Sequence, residues 1–301
     1  MSEAQKSMVP AAFAVATLGI ALFSGMDAVM KGLVLAIGTL ATMFWRNLIG
    51  IGLSGLLYLR RPAPWPTRST MKIHLARGVL STAMGFLFFW GLGRVPLAQA
   101  VALAFIAPLI ALYLASVLLK EEIGTRTVSA SLIAFAGVLV IFYGQAQADL
   151  GREALIGSVA ILMSAALYAL NIIIMRRQAL VADPLEITFF QSIIVTATLG
   201  ALIPFAGVDV PGAAQWPWLI FASTLAVTSM LLLSWAYARA EANYLATTEY
   251  TAFLWAILFG WLFFDEHVSP FTLSGAMLIV AGCVLAARKP QEASPALEAA
   301  T

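Results

Sequence analysis

The sequence predicts an all-α membrane protein with ten transmembrane helices arranged as a 5+5 inverted-topology repeat. Three observations carry that prediction. Hydrophobic residues make up 61% of the 301 residues and charged residues only 11%, and mean hydropathy is +0.93. A soluble globular domain is about a quarter charged, so lipid is the expected solvent. Residues 15–140 can be laid on residues 160–285 at a constant offset of 145 without a gap. The matches fall at Leu22/Leu167, Phe44/Phe189, Trp90/Trp235, Arg94/Arg239, Ala107/Ala252, Glu121/Glu266, Thr127/Thr272, Ser129/Ser274 and Gly137/Gly282. Each half holds five hydrophobic spans. Five is odd, so the second half enters the membrane from the opposite side, as in many secondary transporters.

A helix needs about 20 apolar residues to cross about 30 Å of hydrocarbon. Ten segments qualify, at 9–30, 39–59, 72–91, 96–119, 127–144, 154–175, 184–206, 216–238, 243–264 and 269–287. The breaks between them carry Pro, Gly or charge, as at Arg60-Arg61-Pro62, Asp183-Pro184 and Asp265 to Pro270. Helices are the expected solution because lipid satisfies no backbone hydrogen bond. The first repeat is expected over 1–148, the second over 149–289, and a disordered cytoplasmic tail over 290–301. Residues 9–30 are apolar for longer than a typical signal core, and nine more spans follow, so the first span is expected to stay uncleaved. Pro108, midway along the fourth span, removes a backbone donor and is a candidate bend or hinge.

Orientation follows from Lys and Arg in the short loops. With a cytoplasmic N-terminus, the inner segments hold twelve basic residues: Lys6, Arg60, Arg61, Arg68, Lys72, Lys120, Arg126, Arg176, Arg177, Arg239, Arg288 and Lys289. The outer loops hold three, Lys31, Arg94 and Arg152. Both termini are therefore expected on the cytoplasmic side.

Several chemistries are disfavoured. A net charge of +2 is too small and dispersed for nucleic-acid binding. The one cysteine, Cys283, sits in an apolar span, and the two histidines, His74 and His267, form no metal motif. No metal or cofactor is expected. Nothing of the form GxxxxGK[ST] is present, so direct drive by ATP is not expected. No Ser–His–Asp set falls at one membrane depth, which weighs against an enzyme embedded in the membrane.

Ionisable groups inside the bilayer are costly and are functional candidates by default. Glu249 lies six residues into the ninth span, about 9 Å from its cytoplasmic end at 1.5 Å per residue. Thr247, Thr248, Tyr250 and Thr251 surround it. It is read as a substrate-ammonium or proton-coupling site, against a structural, hydrogen-bonded carboxyl. Arg46 lies in the second span, with Gln191 at the same repeat position in the other half. Arg46 either binds a substrate carboxylate or forms a structural ion pair with Asp27. Tyr168 and Asn171, in the sixth span, come to a similar depth as Gln191 and Glu249. They form a candidate inner polar cluster, or simple helix–helix hydrogen bonds, as Gln99 does. Among the aromatics, the repeat pairs Trp90/Trp235 and Phe105/Tyr250 are the better candidates for cavity walls. Lys31 is read as snorkelling to the interface, and His74 and Arg77 as marking the headgroup level rather than a proton relay.

The fourth-span pattern Pro96-Leu97-Ala98-Gln99-Ala100 through Ala107-Pro108 to Lys120-Glu121-Glu122, its counterpart near Asp265-Glu266, and Gly137 and Gly282 in the spans that follow resemble the EamA-type branch of the drug/metabolite transporter superfamily. The resemblance covers nearly the whole chain. It implies a multi-pass protein of the bacterial inner membrane that exports small amphipathic metabolites by alternating access through a central cavity. Within the branch the chain looks most like exporters of amino acids, including aromatic ones. Other drugs or metabolites, a lipid scramblase and a membrane-embedded enzyme are the rival readings. The expected partners are a small-molecule substrate and the lipid bilayer.

Overall fold

A computed structural model of the chain describes residues 3–60, 65–119, 125–147, 151–237 and 248–287, together with residues 239 and 245. The described residues are helical throughout and contain no strand. The expected tail at 290–301, and Glu121, Tyr244 and Thr247, lie outside them.

The first three spans are α1 (Glu3–Ile37), α2 (Thr39–Tyr58) and α3 (Arg68–Leu92). The fourth span is two helices, α4 (Leu97–Ala104) and α5 (Ala107–Leu119). Then come α6 (Thr125–Gln147), α7 (Gly151–Ala179), α8 (Pro184–Gly200) with the short α9 (Ile203–Ala206), α10 (Trp216–Tyr237), α11 (Thr251–Phe264) and α12 (Pro270–Ala287). Among the described residues, seven helices are long and apolar enough to cross a membrane. Three shorter apolar segments, Leu97–Ala111, Thr251–Phe264 and Pro270–Leu285, fall where the fourth, ninth and tenth spans are expected. Local signals set the starts. Asp183 caps α8 by accepting from the Leu185 and Glu186 amides at 2.8 and 3.2 Å, with Pro184 at the first helical position, where its missing N–H costs nothing.

Packing is reciprocal under the 145-residue offset. α1 packs on α10 as α7 packs on α3; α3 meets α8 as α10 meets α2; α1 meets α11 as α7 meets α5. α2 with α8, and α6 with α12, pair across the repeat with their own counterparts. The α6–α12 contact shows the two-fold relation at atomic scale. A Cβ added to Gly137 would sit 2.5 Å from the Gly275 carbonyl oxygen, and one added to Gly282 would sit 2.6 Å from that of Ala130. Gly137 and Gly282 are repeat partners, as are Ala130 and Gly275, so one backbone approach is made twice. Small residues permit such approach, and in lipid it supplies much of the packing energy between helices.

Both repeats break at the same position. In the fourth span the helix ends at Ala104, with Phe105 as its cap, and restarts at Ala107, the residue before Pro108. Pro108 cannot donate to the Ala104 carbonyl, and the chain tightens there, with Ile106 N bonding Leu103 O at 3.3 Å. In the ninth span the irregular residue is Tyr250, the repeat partner of Phe105. No proline is present there; instead Thr248 and Thr251 hydroxyls take the Leu245 and Thr248 carbonyls at 2.7 and 2.6 Å. The two breaks meet, Phe105 and Tyr250 standing edge to face with centroids 5.8 Å apart.

Candidate functional site

Polar side chains gather beside the meeting point of the two breaks. Tyr250, Tyr237 and Tyr168 all lie within electrostatic reach of Glu249. Tyr237 donates its hydroxyl to Glu249 Oε1 at 3.0 Å. Glu249 is exposed and Tyr168 is 40% exposed. Arg77 also interacts electrostatically with Tyr168. Tyr168 is thus within reach of both a carboxylate and a guanidinium.

Arg77 is 7% exposed and Asn171 3%. Arg77 Nε donates to Asn171 Oδ1 at 3.2 Å, and Nη1 donates to Gln178 Oε1 at 2.5 Å. Ser81 adds a 3.4 Å bond to Asn171 Oδ1. Gln178 in turn lies 2.6 Å from His74 Nδ1, and His74 Nε2 lies 2.9 Å from Glu186 Oε1. Among the described residues, Arg77 is held by neutral amide oxygens and makes no carboxylate ion pair. A buried cation without an anion leaves a place for one brought by a ligand.

Sequence reasoning missed Arg77 as a member of this site and Gln178 and Glu186 altogether. His74 and Arg77 are buried within the bundle: His74 is 1% exposed and faces α7 and α8. The available signal was spacing. Thr70, His74, Arg77 and Ser81 recur every three or four residues on α3, and Ser164, Asn171 and Gln178 every seven on α7. Such stripes put polar groups on one helix face, and α3 and α7 turn these faces to each other.

The other candidates are placed elsewhere. The expected Asp27–Arg46 ion pair is not formed: among the described residues no N–O contact within 4 Å joins them, and Asp27 Oδ1 and Arg46 Nε have no hydrogen-bond partner. Arg46 instead reaches Asn47 Oδ1 at 3.3 Å and Met26 Sδ at 3.6 Å. The two remain within electrostatic reach of each other. Gln191 is half-buried on α8. Trp90 and Trp235 make the same local clamp in both repeats. The Arg94 guanidinium lies 3.5 Å over Trp90 and donates to its carbonyl at 3.0 Å, and Arg239 lies 4.2 Å over Trp235 and donates at 3.1 Å. Trp90 and Arg94 border a recess of about 530 Å³ together with Glu153. Gln99 binds Ser158 at 3.1 Å, which itself binds Gln145 at 3.2 Å, a helix–helix bond as expected.

Lys31 does not snorkel. It is 4% exposed and ion-paired with Glu266, and it donates to the Val95 carbonyl at 2.7 Å. Glu266 Oε2 accepts from Leu97 N at 2.7 Å. The carboxylate that closes the ninth span therefore ties α1, the α3–α4 turn and α11 together. This knot is at the end of the bundle opposite to His74 and Arg77, since α1 finishes and α4 begins there while α3 begins at the other.

The EamA-like transporter family model matches residues 11–143 and again residues 155–288, the two halves that the packing relates. The chain belongs to the EamA-like transporter family. It is 27% identical over 276 residues to the pseudopaline exporter of Pseudomonas aeruginosa strain UCBPP-PA14, covering 91% of this chain and 94% of that protein. It is 28% identical over 235 residues to a riboflavin transporter of Rhizobium johnstonii, covering 78% of this chain and 74% of the relative. A Rickettsia bellii S-adenosylmethionine uptake transporter is 26% identical, with 69% of each chain covered. The fold matches a crystal structure at a TM-score of 0.61 and 19% identity, over 94% of this chain and 100% of the other. The chain is thus a membrane-spanning small-metabolite transporter of bacterial type.

Proposed function

We propose that this EamA-family chain exports small zwitterionic metabolites, with amino acids the first class, across the bacterial inner membrane with both termini in the cytoplasm. The reading is supported by a carboxylate, Glu249, and a guanidinium, Arg77, that both come within electrostatic reach of one residue, Tyr168. A carboxylate suits a substrate ammonium, and a guanidinium held by amide oxygens suits a substrate carboxylate. Phe105 and Tyr250 give an apolar wall for a side chain. Discontinuous helices meeting at the repeat interface are where secondary transporters place substrate.

Under this reading the Lys31–Glu266 knot closes the outer end, and the Glu249 site is served from the cytoplasmic end. Rocking of the halves breaks the knot and opens the site outward. The pseudopaline exporter's name, with its coverage of nearly the whole chain, supports the outward direction. Glu249 takes the ammonium, and the absence of a nucleotide-binding motif leaves exchange or an ion gradient as the driving force.

The test is counterflow in proteoliposomes with a panel of amino acids, sugars and cationic drugs. Protein-dependent uptake of amino acids is expected. Equal uptake with and without protein for amino acids, alongside protein-dependent uptake of cationic drugs, would replace the reading with drug export.

A further inference from the structure

The chain of bonds behind Arg77 fixes a protonation state. Arg77 can only donate, so the Gln178 atom facing it at 2.5 Å is the amide oxygen. The other end of that amide is then NH2, and it faces His74 Nδ1 at 2.6 Å. An NH2 group donates, so Nδ1 accepts and carries no proton. The ring proton sits on Nε2 and is donated to Glu186 Oε1, 2.9 Å away. His74 is therefore neutral here and in one tautomer. Its ring stacks on Phe190, centroids 5.1 Å apart and planes 16° apart, which keeps it from rotating away.

We propose that His74 and Glu186 are positioning residues that control Arg77 through a proton: protonation of His74 Nδ1 turns Gln178 away and frees the Arg77 guanidinium for the substrate carboxylate. The step balances simply. One proton from water adds to Nδ1, and the imidazolium keeps its Nε2–H on the Glu186 carboxylate. Nδ1–H then needs an acceptor, so the Gln178 amide rotates half a turn and offers its oxygen. That oxygen leaves Arg77, whose Nη1 loses its acceptor while Nε stays on Asn171. The charges facing the ring are few. Among the described residues Glu186 on α8 is the carboxylate hydrogen-bonded to His74, Arg77 lies one turn along α3, and Tyr58 on α2 lies within electrostatic reach of Glu186 and Asp183. Because the group lies near the start of α3, the proton enters and leaves by the same end of the bundle as the Glu249 site. The device adjusts affinity with pH on one side and carries no proton across. The proposal rests on Arg77 meeting a substrate carboxylate, but its test needs no substrate.

His267 is the only other histidine and its side chain is 81% exposed. His267→Gln protein carrying [15N]histidine in nanodiscs therefore reports His74 alone. At the alkaline end of a pH series its nitrogens should show a bare Nδ1 and a protonated Nε2, and acidification should protonate both. A neutral ring protonated on Nδ1, or a ring that gains no second proton across the series, overturns the proposal. The second arm is labelling by phenylglyoxal, read by mass spectrometry as Arg77 modification relative to exposed Arg152. That ratio should rise several-fold on acidification across the same series in the unmodified protein and stay flat in His74→Gln. A flat ratio in the unmodified protein, or the same rise in His74→Gln, overturns it. If His74→Gln does not fold, the NMR arm decides. Should both arms succeed while amino-acid counterflow fails, the proton control stands and the carboxylate assignment falls.

Discussion

Glu249 and Arg77 differ in what holds them. Glu249 accepts a hydrogen bond from Tyr237 and is exposed, so changing it costs little packing. Glu249→Gln should leave the folded yield intact and cut amino-acid counterflow by about 10-fold or more, since a hydrogen bond to a charged group is worth about 1.5–3 kcal/mol. Normal counterflow in a folded Glu249→Gln protein would return the carboxyl to a structural role. Arg77→Lys keeps the charge but loses the fork that bonds Asn171 and Gln178 at once. It should weaken substrate affinity several-fold, read as the half-saturating concentration in counterflow. Of the site, the sequence disclosed Glu249, Tyr168 and Asn171, because a charge or amide deep in an apolar span stands out. It hid Arg77 and His74, because a residue close to a span's start looks interfacial until its neighbours are known. Lys31 misled in the same way: its partner Glu266 is 235 residues away in sequence, and only the fold brings them together.

At the scale of helices, the fixed offset was the strongest signal; it paired Gly137 with Gly282 and Arg94 with Arg239, but it marked Trp90 and Trp235 as cavity walls, not as the aromatic halves of two arginine clamps. The length of the fourth span was less legible. In the apolar run at 96–119 Pro108 marks a bend, and the helix breaks just before it, at Phe105 and Ile106. The matching break at Tyr250 has no proline and rests on threonine hydroxyls, so no local rule pointed to it. Symmetry makes a quantitative forecast at the α6–α12 contact. Gly137→Leu and Gly282→Leu each push a side chain onto a partner backbone oxygen. Overpacking of this kind costs about 1–3 kcal/mol, and the two variants should lower thermal stability in detergent by similar amounts. A large loss for one and none for the other would contradict the reciprocal packing.

For the molecule as a whole, the Lys31–Glu266 knot and the Arg77 network lie at opposite ends, with the breaks of the two repeats between them. Removing one member of a buried pair costs about 3–5 kcal/mol, so Glu266→Gln should favour states in which that end is open. A cysteine placed at Thr39 should then react faster with a membrane-impermeant maleimide, and Lys31→Met with Glu266→Gln should restore part of the loss in yield. The basic bias of the loops makes a separate forecast: cysteines introduced at 65–71 in whole cells should need a membrane-permeant reagent, and ready reaction with an impermeant one would reverse the orientation.

The central claim is that one substrate presents an ammonium to Glu249 and a carboxylate to Arg77. The direct measurement uses an amino acid that the protein exchanges in counterflow, with its decarboxylated amine and its deaminated acid as competitors. The account predicts that the amino acid competes at least about 10-fold better than either analogue, because each leaves one charge unanswered. It further predicts that Glu249→Gln erases the preference over the deaminated acid while keeping the preference over the amine. An amine that competes as well as the amino acid itself, in the unmodified protein, would contradict it.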